Sequence, residues 1–316
     1  MSRPLAGYIG YDAEPTTDAA PGIWTLREQQ FYERKAQWPL LFVPDYLTGL
    51  QLWLDASDAS TLYDATSGGS LVGADGGVAR WEDKSGHDRH ATQGTAGNRP
   101  ARKTAIQGGL DVLRFDGSDD TLSIPSSTAT FKFLHSTQAT VFFVSKPDPS
   151  VDNAAIMGAV STYNLQSENI GYWIGYEDRT IAGLTPPFDA EDECRVAIAR
   201  GQGSFPAVNT AGSGNGLFSA GSFSVVAATT DITAASGNDR VSILINKADQ
   251  GATNSDTNPA STSNSTYDLH IGSAAGRTEG VFWEGDIAEV IIYDSALSDT
   301  DRGKVEDYLL AKWGIT

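Results

Sequence analysis

From Gly49 onward the chain consists of short apolar runs separated by clusters of Gly, Ser, Asn, Asp and Thr, a spacing that leaves room for strands but not for helices of ordinary length. Strands are predicted over residues 50–54, 78–81, 110–115, 121–124, 139–145, 155–160, 170–176, 194–200, 222–229, 240–246, 269–272 and 281–293. About a dozen strands with almost no helix between them predict an all-β fold, an antiparallel β-sandwich of the jelly-roll kind. Val141-Phe-Phe-Val144 is apolar without interruption, as suits a strand covered on both faces. The polar stretches 201–221 and 249–266 are predicted to be irregular surface connections or rim loops.

Two helices flank this array. Thr25 with Glu28 three residues on forms a capping box, and Pro39 forbids continuation, so a short helix is predicted over about residues 26–37. It is too short to stand alone in water. Its aromatic residues, Trp24, Phe31, Tyr32 and Trp38, together with Arg27, form a surface that must dock either on the same chain or on another protein. The second helix follows Ser298, a credible N-cap with Asp299 and Asp301 in the first turn. Val305, Tyr308, Leu309 and Trp313 share one face, and Gly314 stands at the expected left-handed C-cap. That face is predicted to pack on the sandwich.

Composition excludes several functions. With 22 basic against 40 acidic residues the net charge is −18, which repels phosphate backbones and disfavours nucleic-acid binding. No run approaches the roughly 18 consecutive apolar residues that span a bilayer, and the first residues carry no secretion signal, so neither membrane insertion nor export is expected. Cys194 is the sole cysteine, which rules out an internal disulfide and suits a buried structural thiol. His87, Asp88, Arg89 and His90 fall together in a predicted loop, but a chain with 4 histidines is a poor candidate for zinc.

The segments Leu52-Trp-Leu-Asp-Ala-Ser-Asp58, Trp81-Glu-Asp-Lys-Ser-Gly-His-Asp-Arg-His-Ala-Thr92, Val112-Leu-Arg-Phe-Asp-Gly-Ser-Asp-Asp-Thr-Leu122, Val241-Ser-Ile-Leu-Ile-Asn246 and Phe282-Trp-Glu-Gly-Asp-Ile-Ala-Glu-Val-Ile-Ile-Tyr-Asp294 come in a fixed order. Together they resemble the concanavalin A-like lectin/glucanase superfamily, in particular its laminin-G-like jelly-roll modules. The resemblance implies the fold over residues 46–316 and leaves the ligand open, because such modules bind sugars, bind proteins or only build structure. A separate stretch, Gly7-Tyr-Ile-Gly-Tyr-Asp12 followed by Ala20-Pro-Gly-Ile-Trp-Thr-Leu-Arg-Glu28 and Gln37-Trp-Pro39, resembles a segment recurring in tailed-phage virion proteins of the tail-fibre and capsid-accessory kind. It implies that residues 1–45 anchor the chain to other virion proteins or to sister copies in a homo-oligomer. The expected location is then the virion, assembled in the host cytoplasm, with host-surface glycans as candidate ligands.

Three groups of residues carry candidate chemistry. Glu284, Asp286 and Glu289 have the Glu-x-Asp-x-x-Glu spacing that resembles the catalytic strand of retaining glucanases, where the outer two serve as nucleophile and acid/base about 5 Å apart. Gly285 departs from that pattern, the motif lies late in the chain, and on a regular strand Glu284 and Glu289 face opposite ways. The expectation is therefore scaffolding and no enzymatic activity, with a glucanase as the alternative. Asp116, Asp119 and Asp120 surround a turn glycine and offer oxygen ligands for Ca2+, or side chains that cap the turn's own amides. Tyr172, Trp173 and Tyr176 lie beside carboxylates in the manner of a sugar-stacking platform, although strand alternation sends at least one set into the core.

Overall fold

The structure, a computed structural model, describes residues 42–148, 153–160, 170–177, 193–200, 208–212, 220–251, 259, 261–274 and 282–316. The chain divides into two compact units, 1–43 and 44–316. The helix expected over 26–37 and the candidate anchor residues Trp24, Arg27, Phe31, Tyr32 and Trp38 lie outside the described residues.

Among the described residues the second unit is built from strands β1 (Leu50–Asp55), β2 (Leu62–Tyr63), β3 (Arg80–Trp81), β4 (Ala91–Thr92), β5 (Ala101–Gln107), β6 (Leu110–Asp116), β7 (Leu122–Ile124), β8 (Gln138–Pro147), β9 (Asn153–Gly158), β10 (Ile170–Glu177), β11 (Glu193–Arg200), β12 (Val208–Gly212), β13 (Ser224–Asp231), β14 (Val241–Ile245), β15 (Ala248–Asp249), β16 (Leu269–Ile271) and β17 (Glu284–Tyr293). A one-turn helix α1 (Phe133–Ser136) precedes β8, and α2 (Asp299–Trp313) closes the chain. One sheet has the order β15-β14-β13-β8-β17-β6-β5, with β1 also pairing with β17; the other runs β12-β11-β10-β9-β16-β7-β4-β3-β2. Their pairs are antiparallel throughout. The result is a jelly-roll sandwich, as the strand spacing predicts.

Alternation explains the core. Leu52, Leu54, Leu113, Phe115, Val141, Phe143, Val226, Ile243, Val290 and Ile292 of the first sheet meet Trp81, Leu122, Ile156, Tyr172, Ile174, Val196, Ile198 and Ile271 of the second in one buried cluster. Fully burying each such side chain stabilises by about 1.5–3 kcal/mol. The opposite face of the first sheet is also apolar where β8 and β17 cross it: Phe142 and Tyr293 are buried there with rings 6.2 Å apart. This is why 141–144 shows no alternation: α2 covers the second face of that strand region.

Every predicted strand is present, with ends shifted by a few residues. Five strands escaped the sequence pattern: β2, β4, β5, β12 and β15. β5 reads Ala-Arg-Lys-Thr-Ala-Ile-Gln and is an exposed edge, so it has no apolar face to betray it. β12 corrects the expectation of an unbroken irregular stretch over 201–221, because 208–212 pair with β11 as the other sheet's edge.

Candidate functional site

β17 contains the Glu-x-Asp-x-x-Glu sequence, and its geometry corrects a prediction. The register with β8 slips between Ile287 and Glu289, which is a β-bulge. Ile287, Val290 and Ile292 all belong to the core between the sheets. The extra residue reverses the parity of the strand, so Asp286 and Glu289 both lie on the face away from that core, and Glu284, two residues before Asp286, joins them. Gly285 is required here for a local reason: its φ is +135°, and a Cβ would come within 2.2 Å of the Lys146 carbonyl oxygen.

The three acids share a face but not an environment. Glu289 has no exposed surface, and its carboxylate accepts from Trp53 Nε1 at 2.7 Å, Trp313 Nε1 at 2.8 Å, Tyr308 OH at 3.1 Å and Lys312 Nζ at 2.7 Å. Asp55 stands directly across in β1, and Lys312 also pairs with it at 2.7 Å. Burial and the neighbouring Asp55 raise the Glu289 pKa against the pull of Lys312. At Asp55 burial is outweighed by Lys312, Ser57 and Lys84, and its pKa is lowered. The carboxylate with two lysines thus holds the charge more readily than the deeper one with a single lysine.

Asp286 is equally buried, but its partners are β-strand neighbours. Arg114 grips it with Nε at 2.7 Å and Nη2 at 2.9 Å, and Lys146 Nζ stands 3.0 Å away. Register places all three side by side, Arg114 on β6 and Lys146 on β8. Glu284 is half-buried and faces a cleft of about 410 Å³ lined by Lys103, Arg114, Asp116, Asp120, Lys146, Asp148, Glu284 and Asp286. Arg114, Lys146 and Trp53 were not singled out from sequence, because only strand register brings them to the motif.

The acidic turn borders the same cleft. Oxygens of Asp116, Asp119 and Asp120 lie within 4.8 Å of one another, close enough to share a cation. The turn also satisfies itself: Asp116 Oδ1 accepts from the amides of Ser118 at 2.9 Å and Asp119 at 3.3 Å, and Asp120 Oδ2 accepts from the Asp116 amide at 3.0 Å. Burial and the Asp116 charge push the Asp120 pKa up to about 6.

Tyr172 and Trp173 are not a stacking platform. Tyr172 lies in the core between the sheets, and Trp173, on the opposite face of β10, is buried against Ala155, Val160 and Ala274. Alternation divides the pair between two interiors, as the period of a strand demands. The side chain of Tyr176 lies outside the described residues. Cys194 is buried.

A family model described as the concanavalin A-like lectin/glucanases superfamily, of laminin-G type, matches residues 116–301. The chain belongs to this superfamily. Solved structures share the fold. The superfamily fold aligns with a Trypanosoma rangeli sialidase in complex with sialic acid at a TM-score of 0.52 and 13% identity, over 88% of this chain and 35% of that one. It aligns with the binding domain of botulinum neurotoxin serotype D at 0.52 and 11% identity, over 84% of this chain and 54% of that one. The chain thus spans about a third of the sialidase and about half of the neurotoxin structure. No curated protein sequence matches.

Proposed function

We propose that this lectin/glucanase-fold protein acts by binding glycans rather than by cleaving them, and that it does so as an accessory protein of a phage particle. The observation that carries the binding reading is the state of Glu289. A general acid/base must reach its substrate, whereas this carboxylate is enclosed and engaged by two indoles, a phenol and a lysine. Asp286 is held by Arg114 and Lys146. What stays open is the cleft beside Glu284, where carboxylates and cations alternate, a lining suited to the hydroxyls of a sugar. The turn of Asp116, Asp119 and Asp120 at its rim would be the place for a bridging calcium ion.

The virion role rests on the sequence of residues 1–45, which would anchor the jelly roll to other virion proteins and to sister copies in a symmetric homo-oligomer. A glycan array probed with the full chain, with and without calcium, tests the binding reading; no glycan bound under either condition would refute it. Deleting residues 1–45 should leave a folded domain that no longer joins particles. Retained incorporation would overturn the anchor.

A glucanase is the second reading, and one observation favours it: the bulge at Ala288 brings all three acids to one face, as a retaining active site requires. Turnover of a β-glucan that disappears in Glu284→Gln would establish it.

A further inference from the structure

The loop between β3 and β4 and the segment after β7 form a second cleft of about 290 Å³, lined in part by Asp88, Arg89, His90, Ile124 and Thr130. Arg89 stands out in its lining. Its Nη1 donates to Gln51 O at 2.8 Å and to Gln51 Oε1 at 2.6 Å, yet the guanidinium forms no ion pair with a carboxylate among the described residues. The two acids closest in its electrostatic surroundings are occupied elsewhere. Asp83 accepts from the amides of Trp53, Ser85 and Arg89 and from the Ser85 hydroxyl, and Asp294 accepts from Gln51 Nε2. Partial burial, only partly offset by the charges of Asp83 and Asp294, lowers the Arg89 pKa. The guanidinium lies over the Phe131 ring, 5.6 Å from its centroid, and is partly desolvated with no carboxylate paired to it among the described residues.

The unused part of Arg89 is the edge formed by Nε and Nη2, the fork whose spacing matches the two oxygens of a carboxylate. The neighbouring histidine adds a donor. His90 Nδ1 accepts from the Asp83 amide at 3.1 Å, which places the proton of the neutral ring on Nε2, for which the described residues provide no acceptor. On the same lining Asp88 is exposed and offers an acceptor, Thr130 is half-buried and offers a hydroxyl, and the exposed Pro125 supplies apolar surface. Donors for one anionic group, acceptors for hydroxyls and an apolar surface within a single-ring volume match one carboxylated sugar better than a phosphate or a peptide.

We propose that this cleft binds the carboxylate-bearing unit of an acidic glycan, with Arg89 gripping the carboxylate through its Nε–Nη2 edge and His90 donating from Nε2. The inference rests on the glycan-binding part of the proposed function and names a site and a ligand class for it. The test is calorimetry and saturation-transfer NMR on the full chain with methyl glucuronide, the methyl glycoside of N-acetylneuraminic acid, methyl glucoside and N-acetylglutamate amide. The acidic glycosides should bind at least about tenfold more tightly than the neutral one, as a charge-assisted bidentate contact implies. Arg89→Gln should abolish that preference. Thr130→Trp, at a half-buried position of the lining, should block both acidic ligands in protein whose thermal melt shows the fold retained.

Equal binding of neutral and acidic glycosides, or acidic binding that survives both substitutions, would overturn the proposal. Equal binding of N-acetylglutamate amide would overturn the sugar assignment. Failure of the acidic glycosides alongside neutral glycan hits on the array would refute this site and leave the broader lectin reading standing.

Discussion

Glu289 shows what a single buried side chain can do for this fold. Its two oxygens gather partners from β1 and from both the middle and the end of α2, so the carboxylate fastens the closing helix to the sheet. Glu289→Ala would strand two indole N–H groups in a buried site and leave Lys312 with Asp55 as its remaining carboxylate. We expect a loss of about 3–5 kcal/mol, read from denaturant unfolding, because breaking a buried charge cluster leaves uncompensated groups behind. Asp120 makes the opposite prediction. Its pKa is raised from 3.8 to about 6, so the folded state holds its proton to higher pH than the unfolded chain does, and ionisation costs stability as pH rises through that window. Asp120→Asn keeps the oxygen that accepts from the Asp116 amide and removes the charge. At pH 7.5 it should stabilise by about 1 kcal/mol after discounting for solvent screening, with the gain vanishing below about pH 4. If millimolar calcium cancels that advantage, the turn holds a cation.

At the scale of elements, β17 and α2 differ in how far their sequence describes them. The helix carries its instructions locally: Ser298 Oγ accepts from the Asp301 amide, and Gly314 adopts φ +62° at the C-cap. The bulge of β17 has no such local signature, because it exists only relative to β8. Two glycines test the contrast. Gly285→Ala should destabilise by about 2–4 kcal/mol, since the new methyl meets the Lys146 carbonyl and the residue's φ is unfavourable. Gly303→Ala, in mid-helix with nothing within 4 Å of the new Cβ, should stabilise by about 0.5–1 kcal/mol. Thermal melts of the two variants should shift in opposite directions. Equal shifts would mean that the bulge relaxes at little cost.

For the molecule as a whole, charge and burial oppose each other. A net charge of −18 means self-repulsion, so raising NaCl to about 0.5 M at pH 7.5 should increase the melting temperature. A decrease would show that surface ion pairs such as Lys103–Asp75 contribute more than the overall repulsion. On the acid side, burial lowers the pKa values of His135 and His270 below 6.5. Both must remain neutral in the fold, so their contribution is intact above pH 6.5 and is lost as pH falls below it. His135→Gln, which keeps a donor for the Ser263 carbonyl, should flatten that acid-side decline. An unchanged pH profile would assign the decline to other groups.

The amino-acid order alone determined the class of fold, most of the strands and the closing helix, because alternation, turn residues and caps act within a few neighbours along the chain. It also identified Glu284, Asp286, Glu289 and the acidic turn as the residues to examine. It misjudged the face of Glu289, because a bulge is a relation between two strands some 140 residues apart, Glu289 and Val144 being partners. Tyr172 and Trp173 looked like a binding surface until the second sheet and its neighbours covered them. The partners that decide each acid's state, Trp53 from β1, Arg114 from β6, Lys146 from β8 and Lys312 from α2, converge only through sheet register and helix docking. Whether a carboxylate is open to a ligand depends on burial, and burial is a property of the packed molecule that no local stretch of sequence contains.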